Sequence, residues 1–231
     1  MKTLCTIQHV EADYLGLIED HFEGRNIRFR YFRPFTPGAK LPRSAEGYDG
    51  LILLGAGPQG VVSGVVIPSL GAELQLTHDF LARDLPVIGI GSGACILAMA
   101  AGGGTAETPL QFTLEQAHRI VPDALNGQLP EFFPAAVYMR DRPVLPAGAK
   151  VLAVGGQSEP LLFQIRDNCL GFLGHPGIKS AMIEDLIMEF EEVPDATAET
   201  LAALRSAQGA IAAALSPIMV GLVEITGLMR A

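Results

Sequence analysis

The chain has 231 residues, of which 49% are hydrophobic and 18% charged, with 25 acidic against 16 basic side chains and a formal net charge of -9. That much apolar material fills one sizeable core, or at most two small ones, and excludes disorder, collagen-like repeats and coiled coil. The acidic balance removes the electrostatic basis for binding nucleic acid or an anionic membrane.

In chain order, Leu4 to Val10 reads as a short buried strand, and Tyr14 to Phe22 places Leu15, Ile18 and Phe22 at helical spacing. Asn26 to Phe32 alternates Ile27, Phe29 and Tyr31 with arginines, a strand pattern, before Pro34, Pro37, Gly38 and Pro42 mark a loop. Gly50 to Leu54 is a continuous apolar run, as in a strand covered on both faces, and ends in the glycine-rich loop Gly55-Ala56-Gly57-Pro58. Pro68 opens a helix to about Ala82, and Pro86 to Ile90 is a second fully apolar strand. Gly91-Ser92-Gly93-Ala94-Cys95 then turns abruptly into a helix of small and apolar residues. Residues 102–133 are less patterned. Lys150–Val154, Leu161–Ile165 and Cys169–Gly174 are strand-like, His175-Pro176-Gly177 follows, and Ser180 caps a helix reaching Phe190. Strands alternating with helices predict an α/β protein with a doubly wound, mostly parallel sheet in three layers. Its sites are expected at strand-to-helix junctions such as Gly91.

Residues 1–192 form the α/β domain in this reading, and 193–231 form a helical C-terminal extension. From Gly209 to Met229 the only charge is Glu224, which raises the question of a membrane span. Pro217 and the small alanines and glycines argue against one. The expectation is a helix broken at Pro217 that packs, through Leu201, Leu204, Ala207, Ile211 and Leu215, on the sheet edge or on a partner protomer. Cys5, Cys95 and Cys169 are widely spaced without a CxxC pair, which fits a reducing cytoplasm, and the N-terminus is too short and polar for a signal peptide.

Several short stretches become specific when taken together. Ile7-Gln8-His9-Val10-Glu11, Tyr48 to Gly55 with Gly57-Pro58, Pro68 with Glu73, Pro86 to Ile90 with Gly93-Ala94 and Leu97-Ala98, and Leu170-Gly171-Phe172 with His175-Pro176 occur in the order and spacing of one family. Over residues 4–190 the chain resembles class I glutamine amidotransferases, in the small stand-alone form similar to the glutaminase part of GMP synthase. The resemblance implies a flavodoxin-like fold and a Cys-His-Glu triad acting through a glutamyl-thioester. The family's Gly-Ile-Cys-x-Gly-Ala-Gln falls on Gly89 to Cys95, so the nucleophile position is Gly91. The family's Phe-His-Pro-Glu falls on Gly174 to Gly177, so His175 remains while the carboxylate has become Gly177. The Gln after Gly-Ala is Cys95, and Tyr138-Met139-Arg140-Asp141 lacks the usual substrate-contacting pattern.

These departures predict a degenerate protein without glutaminase activity, serving as a binding, regulatory or assembly subunit for an unidentified protein partner or through self-association of its C-terminal helices. The rival is an active amidotransferase, or an amide or γ-glutamyl hydrolase, using Cys95 or Ser92 with His175. The resemblance also places an oxyanion hole on the amides of Gly55 to Pro58 and Ser92, a concavity built by Gly55, Gly57, Ser92, Cys95 and His175 that would suit a small anionic or amide ligand. His9 and Glu11 carry a surface or loop-anchoring expectation. No histidine pairs at ligand spacing, so no metal is expected. Gly55 to Gly60 is a weak dinucleotide fingerprint, spoiled by Pro58 and by the lack of a downstream acidic residue, so no cofactor is expected.

Overall fold

The computed structural model describes residues 1–229. Its elements in chain order are β1 (Thr3–Ile7), α1 (Ile18–Glu23), β2 (Arg28–Phe32), β3 (Gly50–Leu53), α2 (Leu70–Ala82), β4 (Val87–Ile90) and α3 (Ser92–Ala100). There follow β5 (Gly104–Ala106), β6 (Gln111–Arg119), β7 (Phe132–Met139), β8 (Arg142–Val144), β9 (Lys150–Val154), β10 (Pro160–Ile165), β11 (Cys169–Phe172), α4 (Ser180–Glu189) and α5 (Thr197–Ile225).

One nine-stranded sheet runs β2-β1-β3-β4-β11-β10-β9-β6-β7. Its first five strands are mutually parallel. The remaining four continue antiparallel. Every residue of β3, β4 and β11 is buried, which explains their uninterrupted apolar sequences: helices cover both faces at the centre of the sheet. Together these features give the doubly wound α/β architecture that the sequence predicts.

Several local expectations are corrected. The anticipated helix over Tyr14 to Phe22 begins only at Ile18, because Gly16 is left-handed at φ +61° and pressed against the backbone of Gly177. The weakly patterned stretch 102–133 contains β5 and the nine-residue β6, and β7 follows with Pro134 inside it. A proline is tolerated there because β7 is the edge strand of the sheet.

The C-terminal helix is not broken at Pro217: α5 runs unbroken from Thr197 to Ile225. Leu215, Ile218 and Met219 beside the proline are almost wholly buried, and their packing offsets the missing backbone hydrogen bond. Although α5 is long and apolar enough to cross a membrane, Leu215, Ile218, Met219, Leu222 and Val223 join the main core with Ile52, Ile88 and Phe172. Leu204 and Ile211 pack in a second cluster with Tyr138 and Ile183. The apolar stripe of α5 is therefore spent on this chain's own sheet and on α4.

Candidate functional site

The carboxyl ends of β3 and β4 meet the loop after β11 at one point. Gly91, between β4 and α3, has φ +56° and ψ -122°, a conformation that costs a side chain about 1–3 kcal/mol. Its amide donates to the Phe172 carbonyl at 2.8 Å, tying the turn to β11. A Cβ at this position would meet only the Cα of Gly55, at 3.4 Å, so the turn has room for a side chain at a conformational cost.

Gly91, Gly55 and His175 line a common cavity, which measures only about 20 Å³. That is space for a single water. Tyr138 from β7 and Ile178, Met182, Ile183 and Leu186 around α4 close it. The Tyr138 hydroxyl is buried without a partner, and burial pushes its pKa up to about 12. Among the described residues no cysteine, serine or threonine lines the cavity.

The surroundings of His175 are fully specified. Its Nε2–H donates to the Tyr14 carbonyl at 2.8 Å, and its Nδ1 accepts the Gly177 amide at 3.1 Å. Both nitrogens are committed, and these partners fix the neutral Nε2–H tautomer. Burial lowers its pKa to about 4, partly offset by the Tyr14 carbonyl. A carboxylate at 177 has nowhere to start: a Cβ there would lie 2.8 Å from Ile18 Cγ1 and 2.9 Å from the Ile18 nitrogen. The Leu17 amide also donates to the Gly177 carbonyl at 2.8 Å. The segment ahead of α1 thus fills the space from which an orienting acid would reach the histidine.

The other candidates separate from this point. Cys95 does not line the cavity; it is fully buried in α3, and burial, aided by nearby Asp141, pushes its thiol up to about 12. It lacks the electropositive, accessible setting that makes a thiolate. Ser92 is likewise fully buried, its hydroxyl has no partner, and it does not face the cavity. Gly57 stands apart as well, against Leu186 and Phe190.

Asp13, which no sequence pattern singled out, does line the cavity. Its carboxyl lies against the backbone of Gly55, close enough to the amides of Gly57 and Gly55, in the loop that the family resemblance assigns to an oxyanion hole, for them to favour its charged form. Burial raises its pKa to about 6, against the lowering effect of His9 and of those amides. A side chain at Gly55 would collide with Asp13 Oδ2 at 2.0 Å, so glycine there is required by the acid's approach.

His9 is buried rather than on the surface, and anchors this loop. Its Nδ1 faces the Gly55 carbonyl at 3.0 Å and its Nε2 faces Glu73 Oε2 at 2.7 Å. With an acceptor at each nitrogen the ring is the imidazolium. Burial opposes that charge, but Glu73 outweighs it and raises the His9 pKa, while His9 and the Ser69 hydroxyl hold Glu73 below its ordinary value against its own burial. Arg140 and Asp141 pin the neighbouring loop. Arg140 Nε donates to the Pro58 carbonyl at 2.6 Å, and Asp141 accepts from the amides of Val61 and Val62 at 2.7 and 2.9 Å and from the Ser63 hydroxyl. Among the described residues no group of His, Cys, Asp or Glu could hold a metal ion.

No family model and no curated protein sequence matches the chain. Solved structures do. A glutamine amidotransferase from Thermotoga maritima superposes with a TM-score of 0.80 at 22% identity, covering 97% of this chain and 98% of that one. A glutamine amidotransferase from Methylobacillus flagellatus gives a TM-score of 0.83 at 21% identity, covering 97% and 95%. The chain has the class I glutamine amidotransferase fold.

Proposed function

We propose that this protein is a degenerate glutamine amidotransferase-like protein that does not hydrolyse glutamine and works as a binding or regulatory subunit. The observation that carries the reading is the cavity of about 20 Å³ at Gly91 and His175, which is too small for glutamine and has no cysteine, serine or threonine on its walls. Amide hydrolysis in this fold needs a nucleophile, a base free to take its proton, and amides free to receive the oxyanion. Here the nucleophile position is a glycine, both nitrogens of His175 are engaged, and the Asp13 carboxyl sits against Gly55 in the loop where an oxyanion would be received. Neither Cys95 nor Ser92 has the setting to substitute. The binding role rests on the fold having been retained with a tightly packed interior while the chemistry-bearing groups have been replaced.

The test is covalent labelling by a glutamine-analogue electrophile, followed by mass spectrometry of the intact chain. The expected result is no adduct on native protein. A stoichiometric adduct on Cys95 or Ser92, abolished by Cys95→Ala or Ser92→Ala, would overturn the proposal.

A further inference from the structure

A second cavity, outside the former catalytic region, is much larger. It is a cleft of about 680 Å³ between the loop joining β2 to β3 and the start of α2, within the range that accommodates a small-molecule ligand. Its lining differs from the rest of this acidic chain: it includes Lys40 and Arg43 and no aspartate or glutamate. Both cations are exposed, and neither forms an ion pair among the described residues. Phe35 stands 42% exposed on the same wall, and Leu41 and Ile67 supply further apolar surface.

The cleft is preformed. The Ala45 amide donates to Asp79 Oδ2 at 2.7 Å, fastening the end of the lip to α2. The turns Thr36 N–H to Arg33 carbonyl and Ala39 N–H to Thr36 carbonyl, at 3.0 and 3.1 Å, shape the loop between.

We infer that the cleft walled by Phe35, Lys40 and Arg43 binds a small phosphomonoester carried on an aromatic or heteroaromatic body. Two cations lining one cleft with no acidic side chain suit a ligand that carries two negative charges, which a phosphate presents on a single group. The exposed Phe35 ring lining the same cleft offers a stacking face for the remainder of the ligand. The inference does not depend on the loss of glutaminase activity, since none of these residues lines the cavity at Gly91.

The experiment is calorimetric titration of the full-length protein at low salt, where exposed charges act most strongly, with phenyl phosphate, inorganic phosphate and terephthalate as probes. Phenyl phosphate is expected to bind saturably and more tightly than inorganic phosphate or terephthalate. Lys40→Ala with Arg43→Ala is expected to weaken it at least tenfold. Phe35→Ala should weaken phenyl phosphate while leaving inorganic phosphate unchanged. Arg205→Ala, distant on α5, should change nothing, and unaltered thermal unfolding of each variant verifies its fold. Absence of saturable phenyl phosphate binding at millimolar concentration, or binding unaffected by the double substitution, would overturn the site. Tighter binding of terephthalate would overturn the phosphate assignment.

Discussion

The Gly177 amide donates to His175 Nδ1 at 3.1 Å, so the residue standing where the family resemblance expects an orienting carboxylate occupies the histidine's lone pair with its own backbone. Together with the Tyr14 carbonyl on Nε2, this turns a potential base into a structural group bridging the β11–α4 connection and the segment before α1. The expected consequence is spectroscopic. His175 should hold the neutral Nε2–H tautomer throughout the neutral range and titrate only near pH 4. Imidazole nitrogen and carbon NMR shifts assigned with His175→Gln measure this, and a midpoint near 6.5 would contradict it. Because this pKa lies below that of the unfolded chain, the stability it contributes is present above about pH 6.5 and lost as pH falls towards 4.

Restoring the triad positions should have unequal consequences. Gly91→Cys has room for its Cβ and should cost about 1–3 kcal/mol through its positive φ. Gly177→Glu drives a side chain into the backbone nitrogen of Ile18 and should cost about 3 kcal/mol or more. Urea denaturation of the two single variants checks the order, and the double variant should acquire no glutaminase activity.

Asp13 should give the protein a pH-dependent term that Asp13→Asn removes. Its pKa is raised from 3.8 to about 6, so the folded state favours the protonated acid. That contribution is complete below about pH 3.8 and disappears as pH rises through 6. Between pH 7.5 and pH 4.5 the stability of wild type relative to Asp13→Asn should therefore rise, by up to about 2 kcal/mol. A constant difference across that range would show that the carboxyl is not held in the apolar setting described.

The buried His9–Glu73 pair makes the opposite demand. Glu73→Gln leaves an imidazolium in the core without its counter-ion, and should destabilise the protein by about 3–5 kcal/mol while driving His9 to its neutral form. In wild type, His9 adds stability that is lost as pH rises through its elevated pKa, and Glu73 adds stability that is lost as pH falls through its depressed one. The pair is worth most between those limits. Chemical denaturation with His9 NMR shifts reads both effects.

The central sheet was legible because β3, β4 and β11 are apolar without interruption and end in glycine-rich turns. The antiparallel half was harder to read. In β6, Phe112 and Leu114 alternate with Gln111, Thr113 and Glu115, a period-two signal diluted by a partly exposed strand, while Pro134 disguised β7. That glycines, Gly91 and Gly177, stand where the family resemblance expects a nucleophile and a carboxylate was visible residue by residue. What surrounds those positions was not. Asp13 reaches Gly55 and Gly57 across more than forty residues, and the closing of the cavity by Tyr138 and the apolar face of α4 depends on tertiary packing that no spacing encodes. The same holds for Cys95: helical periodicity put it one turn from Gly91, but its side chain faces the core rather than the cavity.

The most direct measurement of the account is ammonia release from glutamine by the purified full-length protein, beside Cys95→Ala, Ser92→Ala and His175→Gln. The account predicts no release above the protein-free background for wild type, and therefore no change in any variant. Sustained turnover by wild type that vanishes in Cys95→Ala or Ser92→Ala would contradict it, because a nucleophile buried away from the cavity at Gly91 and His175 would then be performing the chemistry that the proposal denies.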